Sequence, residues 1–161
     1  MKLITGILPC KDRFFLDKAL TVIKQPIEEL CNLTHGEDDF YKVFQDIYSG
    51  IKQLMMVYDD IDNITLKIDE QVAVVGNVLK TAGKNFAGYV LIELWPNSLH
   101  VYQAYISPEY RGMETLRTVY NSVERQAKLL NAPYISLCTK EVEAAKNFGF
   151  IDTYTTLRKK L

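Results

Sequence analysis

The sequence predicts one mixed α/β (α+β) domain spanning residues 1–161. Three observations carry that expectation. The apolar period changes from helical to extended after about residue 52. Two extended runs, Gly88–Trp95 and Ser98–Ile106, flank Pro96-Asn97 as a hairpin. The second run leads through Ser107-Pro108-Glu109-Tyr110-Arg111-Gly112 into an amphipathic stretch, so strand, turn and helix follow in order.

Met1–Leu8 reads as a first strand ended by Pro9. Asp12–Leu33 has a helical stripe, with Phe15, Leu16, Ala19, Leu20 and Ile23 spaced for one face. Pro26 is expected to break or kink that helix, or to start a second one at Ile27. Asp38–Ile51 places Phe40, Val43, Phe44 and Ile47 on one stripe, with Gly50 near its end. Gln53–Tyr58 reads as a strand, and Asp59, Asp60, Asp62 and Asn63 as a turn. Ile64–Ile68 and Gln71–Leu79 are rich in β-formers, with Gly76 as a bulge, and Thr81–Asn85 makes a turn.

After the hairpin, Thr115–Leu130 presents Leu116, Val119, Tyr120, Val123, Ala127 and Leu130 on one face. Tyr134–Cys138 is a continuous apolar strand suited to a sheet interior. Thr139 can cap a short helix over Lys140–Asn147, Gly149 can end it in the left-handed conformation, and Thr153–Leu157 reads as a last strand.

Composition narrows the function classes. The net charge is −1, and no basic stripe with interleaved aromatics appears, which counts against nucleic acid as a partner. From Glu37 to Glu70 nine acids face three lysines, while basic residues outnumber acids from Arg111 onward. No run approaches the roughly 18 apolar residues of a spanning helix, and Met1–Pro9 is too short for a signal peptide, so no membrane role is expected. Three cysteines without a CxxC pair and two distant histidines suggest neither a disulfide framework nor a metal site. A reduced, cytoplasmic location follows as the expectation.

Three segments over roughly Phe86–Leu157 resemble the GNAT superfamily of acetyl-CoA-dependent N-acetyltransferases. Gly88–Ile92 through Ile106–Gly112 is similar to the family's third and fourth strands and its cofactor-loop entry. Tyr134–Thr139 is similar to its fifth strand, and Lys146-Asn147-Phe148-Gly149-Phe150 to the "GF" ending of its fourth helix. The resemblance implies a mostly antiparallel central sheet flanked by helices, and direct transfer of an acetyl group from acetyl-CoA to a small-molecule or protein amine. It implies that the pantetheine arm pairs with backbone near Tyr105 and Ile106. It also implies that the pyrophosphate rests on the loop and helix start formed by Arg111, Gly112, Met113, Glu114, Thr115 and Leu116. Orphan N–H groups and the helix dipole favour an anion there.

The chain departs from the family loop, R/Q-x-x-G-x-G/A. Arg111 matches, but Glu114 and Leu116 replace the two small residues that let a pyrophosphate approach the backbone. A carboxylate at 4 Å from a phosphate charge costs roughly 4 kcal/mol at an effective dielectric near 20. Against that stands a structural role for Glu114, since an acid in the first turn of a helix stabilises it. The family's general-acid tyrosine, four residues before the final glycine of the motif, is replaced by Ala145. For the base, Glu93 and His100 lie on or beside the hairpin, each with the alternative of an outward-facing strand residue. Tyr102 and Tyr105 are expected on opposite faces of their strand, and Cys138 as a buried small apolar residue.

Two readings follow. One is a small N-acetyltransferase with a diverged cofactor loop, whose acidic Glu37–Glu70 rim attracts a cationic acceptor. The other is a non-catalytic protein of this fold, a binding or structural component such as part of a phage particle, located in the virion and partnered by copies of itself or by an assembly.

Overall fold

The computed structural model describes residues 2–8, 12–33, 40–60, 74–75, 77–78, 85–139, 142–151 and 159. The elements run β1 (Leu3–Ile7), α1 (Arg13–Leu33), α2 (Phe40–Ser49), β2 (Gln53–Asp59), β3 (Phe86–Leu94), β4 (Ser98–Ile106), a 3₁₀ turn (Pro108–Tyr110), α3 (Met113–Leu129), β5 (Tyr134–Leu137) and α4 (Val142–Lys146). The strands form one five-stranded sheet in the order β1-β2-β3-β4-β5. All neighbours are antiparallel except β4 and β5, which run parallel.

Strand alternation sorts the sheet's side chains onto two faces. Ile4, Leu54, Met56, Tyr58, Tyr89 and Leu91 pack with Leu16, Ile23 and Ile27 of α1 and Val43 and Ile47 of α2. Met55, Val57, Val90, Ile92, Leu99 and Val101 pack with Val119, Val123 and Ala127 of α3. Two helices therefore cover one face and one long helix the other, which buries both sides of the central strands. A hydroxyl pair fixes α3 against the sheet: Thr5 Oγ1 donates to Ser122 Oγ at 2.7 Å in the buried layer.

Several expectations change. Pro26 neither breaks α1 nor starts a new helix, because Ile23 and Ile27 are fully buried on either side and hold the helix through it. Val74, Val75, Asn77 and Val78 are helical rather than extended, and buried Val74 and Val78 are spaced for one helical face. Asp59 and Asp60 continue and leave β2 rather than opening a surface turn. Asp60 is buried, and its N–H donates to the Lys2 carbonyl at 2.8 Å. Among the described residues β5 ends the strand order, and Tyr134 is 70% exposed. Ile64–Ile68, Asp62, Asn63, Gly76, the Thr81–Lys84 part of the expected turn and the Thr153–Leu157 strand lie outside the described residues. Gly149 has φ 88°, the expected left-handed ending.

Gly88 permits the tightest approach in the sheet. A Cβ there would stand 2.3 Å from the Tyr105 carbonyl oxygen of β4. That oxygen belongs to backbone already committed to the ladder, so the strands would have to separate. Gly88→Ala is expected to destabilise the protein by about 1–3 kcal/mol, the usual range for overpacking. Urea unfolding monitored by circular dichroism checks this, and an unchanged midpoint would show that the pair has slack.

Candidate active site

The site is built on the way β4 leaves β5. Parallel pairing joins Ser98 to Tyr134 and ends at Val101 with Leu137, while β4 stays paired with β3 as far as Ile106. Beyond Val101 no described strand lies against that side of β4, so its edge is open there. The ladder's parity decides which groups face the open edge. The Ser107 N–H donates to Ala87 O at 2.8 Å, so that pair is hydrogen-bonded, and hydrogen-bonded pairs alternate in an antiparallel ladder. Tyr105 therefore spends its backbone groups on Tyr89, while Ala104 and Ile106 turn theirs away from β3 toward the open edge. Ala104 was not legible as a site residue without the register.

β4 carries a bulge at the start of that open edge. Leu91 pairs with Gln103 and Ile92 with Val101, so Tyr102 is the extra residue of the register on β4. The extra residue shifts the alternation. Tyr102 and Tyr105 consequently pack against the same α1/α2-side core, not on opposite faces.

The helix start faces the same opening. Gly112, at φ 157° and ψ 171°, holds a conformation almost confined to glycine and turns the chain into α3. Thr115 is buried, and its hydroxyl donates to Tyr110 O at 2.6 Å. Tyr110 in turn donates its phenol proton to Asp59 Oδ2 at 3.3 Å, and burial followed by Asp59 raises its pKa. The N–H groups of Arg111 and Leu116 are spent on Pro108 O and Gly112 O. Those of Met113, Glu114 and Thr115, in the first turn, have no carbonyl within the helix to meet. Met113 and Glu114 are exposed and Leu116 is half-buried. The Arg111 side chain folds back, and its Nε donates to Ile106 O at 3.0 Å.

Glu93 and His100 are cross-strand partners and share a face with Leu91, on the α1/α2 side. The structure gathers a polar cluster around them. Lys52, with a side chain 8% exposed, forms ion pairs with Asp46 at 2.7 Å and Glu93 at 3.8 Å. Its ammonium also lies 4.2 Å from the centre of the Tyr102 ring. His100 Nδ1 is 2.9 Å from Ser136 Oγ, and Ser136 is 2.9 Å from Ser98 Oγ. Trp95 stacks on the imidazole at 3.7 Å between ring centres. Lys52, Trp95, Ser98 and Ser136 were missed from sequence. The available signal was parity, because a carboxylate on the face of Tyr89 and Leu91 needs a cation near it.

Other groups fall elsewhere. Cys138 is exposed rather than buried, because it follows the last residue of a partly exposed strand. Asp59 is occupied by Tyr110, and Asp60 is buried, so these two acids serve the fold rather than an open rim. A cleft of about 220 Å³ lies between α1 and the β3–β4 pair, lined by Val22, Gln25, Pro26, Glu29, Phe86, Tyr105 and Ser107. Among the described residues no helix is long and apolar enough to cross a membrane.

Burial lowers the His100 pKa from its ordinary 6.5; Glu93 opposes that shift and Lys52 adds to it. The unfolded chain therefore takes up the proton first as pH falls. Stability from neutral His100 is full above about 6.5 and is lost as pH drops toward the lower folded value. His100→Gln is expected to flatten the acid-side slope of stability below that pH. Glu93→Gln should lower the imidazole pKa further. NMR titration of the two histidines measures it directly, and an unshifted or raised His100 pKa would contradict this account.

No protein-family model matches the sequence, and no curated protein matches it. Solved structures do. An acetyltransferase of Trypanosoma brucei superposes with TM-score 0.59 at 12% identity, covering 99% of this chain and 100% of the other. A predicted acetyltransferase of Clostridium acetobutylicum with acetyl-CoA gives 0.57 at 13% identity, covering 99% and 96%. The glucosamine-6-phosphate N-acetyltransferase of Arabidopsis thaliana gives 0.55 at 15% identity, covering 99% of each chain. With its mostly antiparallel sheet, α1 and α2 on one face and α3 on the other, this chain has the fold of the GNAT acetyltransferases.

Proposed function

We propose that this protein is an N-acetyltransferase that moves an acetyl group from acetyl-CoA to an amine by direct attack. The observation that carries this reading is the juxtaposition of two backbone surfaces. The outward groups of Ala104 and the outward N–H of Ile106, whose carbonyl is taken by Arg111, suit the amides of a pantetheine arm, and the N–H groups of Met113, Glu114 and Thr115 suit its pyrophosphate. A solved structure with this fold was determined with acetyl-CoA, which supports the assignment of donor.

The two substitutions in the loop act on affinity. Glu114 is exposed, so its carboxylate can turn into water, where screening weakens its repulsion of a phosphate. Arg111, held beside the helix start by Ile106 O, adds a positive charge at the same place. Leu116 is half-buried and uses its own N–H within the helix, so the loss of a small residue there costs the site no donor.

The chemistry needs a base. His100 lies one rung before the β4–β5 pairing ends, and its lowered pKa keeps the imidazole neutral at pH 7. In this reading the amine nitrogen attacks the thioester carbonyl carbon and the nitrogen's proton passes to His100. The C–S bond then breaks and the thiolate takes a proton from water, since Ala145 offers none. Glu93 is the groups' counter-charge: it stabilises the imidazolium that forms, and Lys52 fixes the carboxylate.

Calorimetric titration with acetyl-CoA should give a Kd on the order of 1–100 μM, with Glu114→Gln binding about three- to tenfold tighter. In a thiol-release assay across an amine panel, His100→Gln and Glu93→Gln should each lower kcat by about 10²-fold or more without weakening acetyl-CoA. Absence of binding in both the wild type and Glu114→Gln would overturn the donor assignment. Binding with no turnover of any amine would favour the reading as a non-catalytic GNAT-fold binding component.

A further inference from the structure

We propose that the cleft between α1 and the β3–β4 pair is a binding site for a small organic monocation, an ammonium carried on a short apolar or aromatic body. The proposal goes beyond the acetyl-transfer reading: the cleft lies roughly 16 Å along β4 from His100, and recognition of the cation stands on the cleft's own chemistry.

Among the described residues the lining contains no lysine, arginine or histidine. Its polar groups are rich in acceptors. Gln25 Nε2 donates to Glu29 Oε1 at 3.0 Å, which leaves the second Glu29 oxygen and the Gln25 carbonyl to accept. Ser107 Oγ is directed at Phe86 O at 3.5 Å. Pro26 supplies a further acceptor indirectly. It has no N–H, so the carbonyl of Val22, four residues earlier, is left without its helical donor, and both residues line the cleft. A proline within a helix is disfavoured relative to alanine. This helix keeps it, with Ile23 and Ile27 absorbing the strain in the core.

The floor is aromatic. Tyr105 stacks on Phe86 with 6.4 Å between ring centres and on Tyr89 with 5.8 Å. A ring face beside a ring of acceptors attracts a cation that also has an apolar body. Two limits set the class. The volume, about 220 Å³, lies below the roughly 300 Å³ at which clefts for drug-sized ligands begin. Among the described lining residues one carboxylate, Glu29, balances one charge, and an anion would meet that carboxylate with no cation to offset it.

The test uses the full chain and 2-phenylethylammonium as the probe, followed by NMR chemical-shift titration. 2-Phenylethanol serves as the neutral control of the same shape, and putrescine as the dication. The probe should bind more tightly than both, with shifts at Tyr105 and Phe86. Glu29→Gln and Pro26→Ala should each weaken it by about three- to tenfold, the first by removing the charge and the second by giving the Val22 carbonyl its helical partner. Pro26→Ala should also raise Tm, which shows that its weaker binding is not a folding defect. Equal binding of 2-phenylethanol, no binding at millimolar probe, or wild-type affinity in both variants would overturn the proposal. The titration is read without acetyl-CoA, so the cleft and the acetyl-transfer reading fail separately.

Discussion

The structure depends on one constraint: β4 must satisfy two neighbours of unequal length. β3 accompanies it through Ile106, while β5 pairs only from Ser98 to Val101. Backbone polar groups in a sheet need partners, and those of Ala104 and Ile106 point where no described strand lies. Arg111 meets one of these needs by bonding the Ile106 carbonyl. That single contact ties the open strand edge to the start of α3, so the strand and the helix terminus face one opening as a unit. The bulge at Tyr102 places two tyrosines on the side away from α3 and leaves the α3 side to Val101 and Ile106.

The hairpin end of the sheet is organised by charge. Glu93 is half-buried on a face otherwise given to Tyr89 and Leu91, and an unpaired carboxylate there would be costly. Lys52 supplies the cation, Asp46 holds Lys52, and Tyr102 covers the ammonium. A buried group of this kind is weak evidence of stability, since desolvation offsets much of the attraction. Its effect is to fix geometry: the carboxylate and imidazole are set as cross-strand neighbours beside the end of the β4–β5 pairing.

Much of this was legible in the residues. The alternation of Gly88–Ile92, the Pro96-Asn97 turn and the stripe through Val119, Val123 and Ala127 place β3, β4 and α3 within a residue or two of where they lie. What was not legible has physical causes. Val74–Val78 has the composition of a strand but is helical where described, because burial on a helical face overrides a valine preference that is small. The shared face of Tyr102 and Tyr105 follows from a bulge, and no residue in Val101–Tyr105 announces one. Lys52 lies far from Glu93 in sequence and meets it only because β2 pairs with β3, setting Gln53 opposite Ile92. Pro26 signals a break locally, and the core on either side overrules it.

On the proposed reading, the open edge of β4 and the first turn of α3 together receive acetyl-CoA. Amide-resolved NMR during an acetyl-CoA titration tests this. The account predicts saturable shifts concentrated at Ala104, Ile106 and Met113–Thr115, with the Tyr105 amide less affected because it is bonded within the ladder. Saturable binding that leaves those amides unmoved, or no shifts at millimolar acetyl-CoA, would contradict it.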